Sequence, residues 1–322
     1  MNQLTMELKN SEYLAIDAPV SEQILYRLDS GGQRFYYDLI DDEPSFYQSV
    51  TTFIGNNLKS SVFLDKWRAE LGWDAASQFM DERAAYGTSM HILFSEYLMG
   101  EQIDLESDHI ENTLIAQSEK DGVSLDRTWT DDLKHDLIAF AQFVYDYDVT
   151  PLMIEQVVAH GFLGGAIDLV CSMTIKEKGF FGETYLSGAK KGEPKESFRE
   201  RRVTAMIDYK SGRKGFYVSH EIQLKVYQEL FESVFPDYPI EKLYNFSPKD
   251  WISNPGYNLK DQTECESHAM IPHLKGLATC NGVPRPKDIT VYKGALELGK
   301  VGNNYEKIDI AEYIREKHND NH

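Results

Sequence analysis

Cysteine is scarce. Cys171, Cys265 and Cys280 are the only three, widely separated and odd in number, which excludes a disulfide framework and a CxxC metal site. A reducing compartment fits that pattern. Long apolar runs are absent too: no stretch reaches the roughly 18 residues of a membrane-spanning helix. The opening MNQLTMELKNSEYLAIDAP is acidic where a signal peptide would be basic and then apolar. A soluble, cytoplasmic protein with no membrane partner is the expectation. Basic charge is in deficit, with 33 Lys and Arg against 52 Asp and Glu and a formal net charge of -19. That balance excludes wholesale wrapping of nucleic acid, because non-specific affinity comes from neutralised phosphates. Only a local basic surface would serve. GxxxxGK[ST] is missing as well, so no phosphate loop of a helicase motor is present.

What is present suffices for one sizeable core: 322 residues, 42% of them hydrophobic. Residues 1–45 are polar and acidic, ending in DLIDDEP, and are expected to form an irregular extension. Residues 46–322 are expected to form a single domain. Its first part, 46–150, reads as helical: LKSSVFLDKWRAELGW, DERAAYGTSMHILFSEYL and DDLKHDLIAFAQFVYD carry apolar residues at three- and four-residue spacings. Pro151 breaks the pattern, and 151–260 follows with the strand-like runs LMIEQVVAH, GGAIDLVCSMTI and RVTAMIDYK. Between the last two, KEKGFFGETYLSGAKKGEPKESFRE reads as a long hairpin loop or mobile insertion. SHEIQLKVYQELFESVF is an amphipathic helix with Ser219 as a candidate N-cap, and IEKLYNFSP a further strand. The remainder, 261–322, adds a helix near 264–280, a strand near 289–297 and a short helix near 309–317. The order helices, strands, helix, strand predicts an α/β fold with a mixed central sheet flanked by helices.

Two aspartates interrupt runs that otherwise read as strands, where aspartate is depleted: Asp168 in GGAIDLV and Asp208 in AMIDYK. Alternate side chains of a strand share a face, so Asp208 and Lys210 point one way, Ile207 and Tyr209 the other. Two carboxylates on adjacent strands suit a hard divalent ion, and Mg2+ characteristically keeps several waters beside such ligands. The use of that arrangement is phosphodiester hydrolysis. The ion stabilises charge developing on the phosphate, and the lysine orients or helps to deprotonate the attacking water. The Tyr209 carbonyl is a candidate third ligand. A D-x-K triplet on a strand is also a common exposed ion pair; the second buried-looking acid, Asp168, is what asks for a partner or a metal. Gly87, His91 and Ser95 lie four residues apart on one helical face, and Gln223 and Tyr227 share a face of the helix after the D-x-K strand. A packed histidine and a plain helix–sheet contact are the alternative readings of these two groups. The insert from Lys176 to Arg202, with Arg213 and Lys214 after it, is the candidate basic surface; a solvated loop is its alternative.

In order, GxxxH (Gly87 to His91), GGAID (Asp168), DYK (Asp208, Tyr209, Lys210) and QxxxY (Gln223, Tyr227) resemble the RecB-type exonuclease branch of the PD-(D/E)XK nucleases. SVTTFIGNNLKSSVFLDKW is similar to the start of phage-encoded members, so the resemblance covers about 46–260. It implies a restriction-endonuclease-like core and an Mg2+-dependent deoxyribonuclease, with Mn2+ able to substitute. It makes Asp168 and Asp208 metal ligands, has His91 complete the site, and makes Lys210 the catalytic lysine. Glu155, on the strand before Asp168, is a weaker additional ligand. Many relatives bind an iron–sulfur cluster through four cysteines; three scattered ones imply none here. The expected partner is DNA, with any helicase or recombination protein supplied in trans, in the recombination or replication of a phage or mobile element and hence in the host cytoplasm. A structure-selective endonuclease and a nuclease-like interaction protein without activity are the competing functions.

Overall fold

The computed structural model describes residues 5–8, 13–14, 23–59, 62–125, 128–213, 215–294 and 305–319. The expected α/β architecture is what these residues form: a mixed sheet with helices packed on both faces. In chain order, β1 (Thr5–Leu8), β2 (Tyr13–Leu14), β3 (Leu25–Ser30), β4 (Gln33–Ile40) and β5 (Glu43–Ser49) precede five helices. These are α1 (Val50–Asn57), α2 (Val62–Leu71), α3 (Trp73–Leu98), α4 (His109–Asp121) and α5 (Thr128–Asp146). Then come β6 (Thr150–His160), β7 (Leu163–Gly179), β8 (Ser197–Tyr209), α6 (Val218–Val234), β9 (Lys242–Pro248) and β10 (Tyr257–Asp261). A short 3-10 turn, α7 (Ile271–Asn281), the hairpin pair β11 (Ile289–Tyr292) and β12 (Tyr305–Ile308), and α8 (Ile310–Asn319) close the described chain. No helix among the described residues is long and apolar enough to cross a membrane.

The large sheet runs β1-β3-β4-β5-β7-β8-β9-β10, with β6 on the other edge of β7 and β2 on β6. Strand β7 is its branch point. One of its edges pairs along its first half with β6; the other meets β5 in parallel at Leu163 and Gly164, then β8 in antiparallel from Leu169 onward. Residues 165–168 therefore face an opening between β5 and β8, and the site is built there. Ile207 and Tyr209 pack with Leu93, Phe94 and Phe140 of α3 and α5, while Met206 packs with Ile222 and Val226 of α6 on the opposite face. The D-x-K strand is thus anchored by apolar contacts on both sides, as its alternation requires.

Three expectations are corrected. The described part of 1–45 is not an irregular extension: β3, β4 and the start of β5 lie there, with Leu25, Leu28, Phe35 and Tyr37 buried. Gly31 and Gly32, at φ 61° and 75°, form the two-residue turn joining β3 to β4, a connection that favours left-handed residues. Helix α8 covers this meander through Ile310 and Ile314. The 176–202 insert is a hairpin, as one of its two readings had it, but with longer arms: the β7–β8 ladder runs out to Gly179 opposite Ser197 and leaves 180–196 as the loop. Helix α6 starts one residue before Ser219, and its cap is Tyr217, whose N–H is accepted by His220 Nδ1 at 3.3 Å.

Candidate functional site

Strands β6 and β7 both change parity at the opening. Ile167 and Val170 reach the same core, as do Met153 and Val158. A regular strand cannot send both members of such a pair, an odd number of residues apart, to one face. The break falls at Glu155, which has φ 51°, and at Asp168 opposite it, a position omitted from the ladder between Ile154–Leu169 and Gln156–Ile167. A left-handed glutamate costs of order 1–3 kcal/mol and persists only where the surroundings over-determine it. Here it aims a carboxylate at Asp168 and at His91, which arrives from α3. His91 Nδ1 is 3.5 Å from Glu155 Oε1 and 3.6 Å from Asp168 Oδ1. One ligand atom from each of the three residues lies within 4.8 Å of the others. Glu155 Oε1 is buried with no hydrogen-bond partner. An unsatisfied buried oxygen beside a second carboxylate and an imidazole is a donor set that fits a hard divalent cation.

Asp168 Oδ2 accepts the Tyr209 N–H at 2.7 Å. A side chain thereby takes over where the β7–β8 ladder ends, and this bond docks the Asp208–Tyr209–Lys210 segment against Asp168. Lys210 Nζ lies 3.0 and 2.8 Å from the two Asp208 oxygens and donates to Gln223 Oε1 at 3.1 Å. Asp208 Oδ2 also accepts from Asn245 Nδ2 at 2.7 Å, and Asn245 is in turn held by Gln262 at 2.9 Å. Gln223 reaches Tyr227, whose ring fills the space above Gly165: a Cβ there would sit 2.5 Å from it. The GGAID glycine thus admits the QxxxY tyrosine. Gly87 is under no such constraint: a Cβ there would meet Ser211 Oγ at 3.4 Å, an ordinary contact. The motif residues Gly87, His91, Asp168, Asp208, Tyr209, Lys210, Gln223 and Tyr227, together with Glu155, line one cleft of about 750 Å³.

Burial pushes the carboxyls of Asp168 and Asp208 upward, since desolvation disfavours their charged forms; His91 and Lys210 oppose it. For His91, burial alone would lower the pKa, but Asp168 and Glu155 outweigh it and carry it to about 9. Burial and the adjacent Lys210 push His220, on the neighbouring helix, down to about 4. Metal-free, the cluster is therefore an imidazolium held by carboxylates, a place already arranged for positive charge.

The expected basic surface is placed differently. Lys176 and Lys178 pair with Glu200 and Glu196, Arg201 with Glu177 and Glu241, and Arg202 with Asp148. None of these lines the cleft. Arg213 is held by Asp136 at 2.6 Å and Asp250 at 2.9 Å, while Tyr86 donates to Asp136 at 2.6 Å. It ties the chain leaving Lys210 to α3 and α5 and does not line the cleft; Lys214 lies outside the described residues. The cations that do reach the cleft are Lys210 and four that sequence reasoning missed: Arg27, Arg34, Arg83 and Lys120. Asn245 and Gln262 were missed as well, although a polar residue inside LYNFS is itself a signal.

Asp136 is fully buried, and burial pushes its carboxyl up to about 6 despite Tyr86 and Arg213. Its folded pKa is above the unfolded one, so its favourable contribution is present at low pH and is lost as pH rises through about 6. Arg213→Ala is expected to cost about 1–2 kcal/mol of stability at pH 7, because Asp136, at about 6 in the wild type, then takes up a proton at about 1.4 kcal/mol per pH unit. The loss should shrink near pH 5, where protonation relieves it. Urea unfolding at the two pH values reads both effects.

No protein-family model matches the chain, and no curated protein matches it either.

Proposed function

We propose that the protein is an Mg2+-dependent deoxyribonuclease that degrades DNA from its ends. The observation supporting this reading is the convergence on one cleft of an imidazole from α3, three carboxylates from β6, β7 and β8, and the lysine that follows β8. His91, Glu155 and Asp168 would hold the ion, with Asp208 and the Tyr209 carbonyl as the further oxygens beside them. A divalent cation bound there supplies a Lewis acid for the negative charge that develops on the phosphate. Lys210, fixed by Asp208 and Gln223, donates a hydrogen bond that aims a water oxygen at phosphorus and balances the charge nearby. Asn245 keeps Asp208 from rotating, and the Tyr209 N–H keeps Asp168 in register with it. The P–O bond opposite the incoming water breaks; the water gives its proton up to solvent, and the departing oxygen takes one from solvent. Any unwinding of duplex belongs to a helicase or recombination protein acting in trans.

The test compares linear DNA, single-stranded and duplex, with covalently closed circles of the same sequence. Linear molecules should disappear in Mg2+ or Mn2+, circles should survive, and EDTA should spare both. Circles cut as fast as linear DNA would make the enzyme an endonuclease. No cleavage of any form would overturn the hydrolase reading.

Metal binding carries its own pH signature. With His91 at about 9, an incoming cation at neutral pH must displace a proton. Affinity for Mn2+ should therefore rise between pH 7 and 9, approaching about tenfold per unit for one proton, and calorimetry in buffers of different ionisation enthalpy should detect its release. A pH-independent affinity with no proton release would remove His91 from the ligand set.

A further inference from the structure

Helix α5 turns Leu133, Leu137 and Phe140 into the core, and on the same stripe it buries a carboxylate, Asp136. Packing does not require an acid there. Replacing a buried ion pair by apolar side chains of similar size is often neutral or stabilising, so stability alone does not account for the aspartate. Its partners do. Tyr86, fully buried as well, donates to Oδ2 at 2.6 Å, and Arg213 Nη2 donates to Oδ1 at 2.6 Å. The two donors belong to the two elements that carry the imidazole and the lysine of the cleft. Tyr86 is on α3, five residues before His91, and Arg213 follows Lys210 by three.

The turn after β8 depends on that carboxylate. Lys210 makes the last contact with β9, its N–H donating to the Phe246 carbonyl at 2.8 Å, and among the described residues no backbone hydrogen bond holds Ser211 or Gly212. Ser211 lies against Gly87 of α3 without being bonded to it. The next anchor is Arg213, whose other neighbour, Asp250 at 2.9 Å from Nε, has a side chain 87% exposed. Tyr86, Asp136 and Arg213 do not line the cleft, so any effect they have on chemistry passes through the residues they hold.

We infer that Asp136 is a positioning residue for phosphodiester hydrolysis: by binding Tyr86 and Arg213 at once, it fixes the spacing between His91 on α3 and Lys210 on the turn after β8. The inference rests on the nuclease reading, and one of its two readouts is independent of cleavage. The triple variant Tyr86→Phe/Asp136→Leu/Arg213→Met removes the cluster whole, which strands no buried charge, so it should resist urea as the wild type does. With Mn2+ saturating, its kcat on linear DNA should nevertheless fall about tenfold to a hundredfold while KM stays within about twofold, as a small misplacement of reacting groups does. Exchange of the Lys210 amide hydrogen should quicken at least about tenfold, with the core amides of β6 and β7 unchanged. Tyr86→Phe keeps the ring against Trp129 and loses only the hydroxyl, so a smaller loss of the same kind is expected from it. Wild-type turnover in the folded triple variant would overturn the inference. If that variant does not fold, wild-type turnover in Tyr86→Phe overturns it instead. A wild-type protein that cleaves no DNA counts against the nuclease reading alone; Lys210 exchange then decides, faster exchange in the variants supporting the positioning role and unchanged exchange sinking it.

Discussion

Lys210→Ala should bind Mn2+ as tightly as the wild type or more tightly, yet cleave DNA at least about a thousandfold more slowly. The two halves of that result come from one geometry. Lys210 Nζ lies against both oxygens of Asp208, so its removal deletes a cation from the cluster and returns two carboxylate oxygens to the pocket. Cation affinity therefore has no reason to fall. Cleavage does, because a positioned donor and the charge it brings to a desolvated site are worth about a hundredfold to ten-thousandfold. Asp208 is 3% exposed and would keep only Asn245 as a partner. The metal-free variant should consequently melt lower than the wild type, and Mn2+ should recover much of the loss. Calorimetric titration alongside end-labelled DNA digestion reads the asymmetry. A folded Lys210→Ala protein that cuts at the wild-type rate removes the lysine from the mechanism.

The complementary result is expected from Asp168→Asn. Asparagine keeps an oxygen to accept the Tyr209 N–H, so the junction of β7 and β8 is preserved while the anionic ligand is lost. Mn2+ affinity should fall by at least about tenfold and cleavage by about ten-thousandfold, which exceeds the loss from Lys210→Ala because binding and chemistry both suffer. His91 should respond as well. Asp168 is the strongest of the influences raising its pKa to about 9, so the imidazole should titrate markedly lower in the variant. A proton NMR titration of His91 separates this from unfolding, since an unfolded chain would show the ordinary histidine value near 6.5. Unchanged Mn2+ affinity in folded Asp168→Asn would mean that the ion binds elsewhere.

The parts of the site that were legible in the sequence are those in which a residue type contradicts its local pattern. Asp168 and Asp208 stand out because aspartate is rare in apolar strands, and Lys210 follows from strand periodicity. His91 is placed by its four-residue spacing from Gly87. Glu155 was harder to read. Its role depends on a left-handed backbone in mid-strand, which nothing about glutamate announces, so only the resemblance pointed to it, as a weaker additional ligand. The cleft cations were obscured for another reason. Arg27 and Arg34 sit in a segment judged by its acidic composition, while LYRLDSGGQRFYYDLI carries the better signal, two alternating runs around a Gly-Gly turn. The partner of Arg213 is not readable from a charge run, since Asp136 is 77 residues away in sequence. Helix α4 was also passed over, although Gly122 ends it in the left-handed conformation usual after a helix.

A divalent ion is expected among His91, Glu155, Asp168 and Asp208. Anomalous diffraction from a crystal equilibrated with saturating Mn2+ tests it most directly. A manganese peak should appear flanked by His91 Nδ1 and the carboxylates of Glu155 and Asp168, with Asp208 beside it. Saturated crystals with no peak in the cleft, or with manganese bound only at another surface, would contradict it.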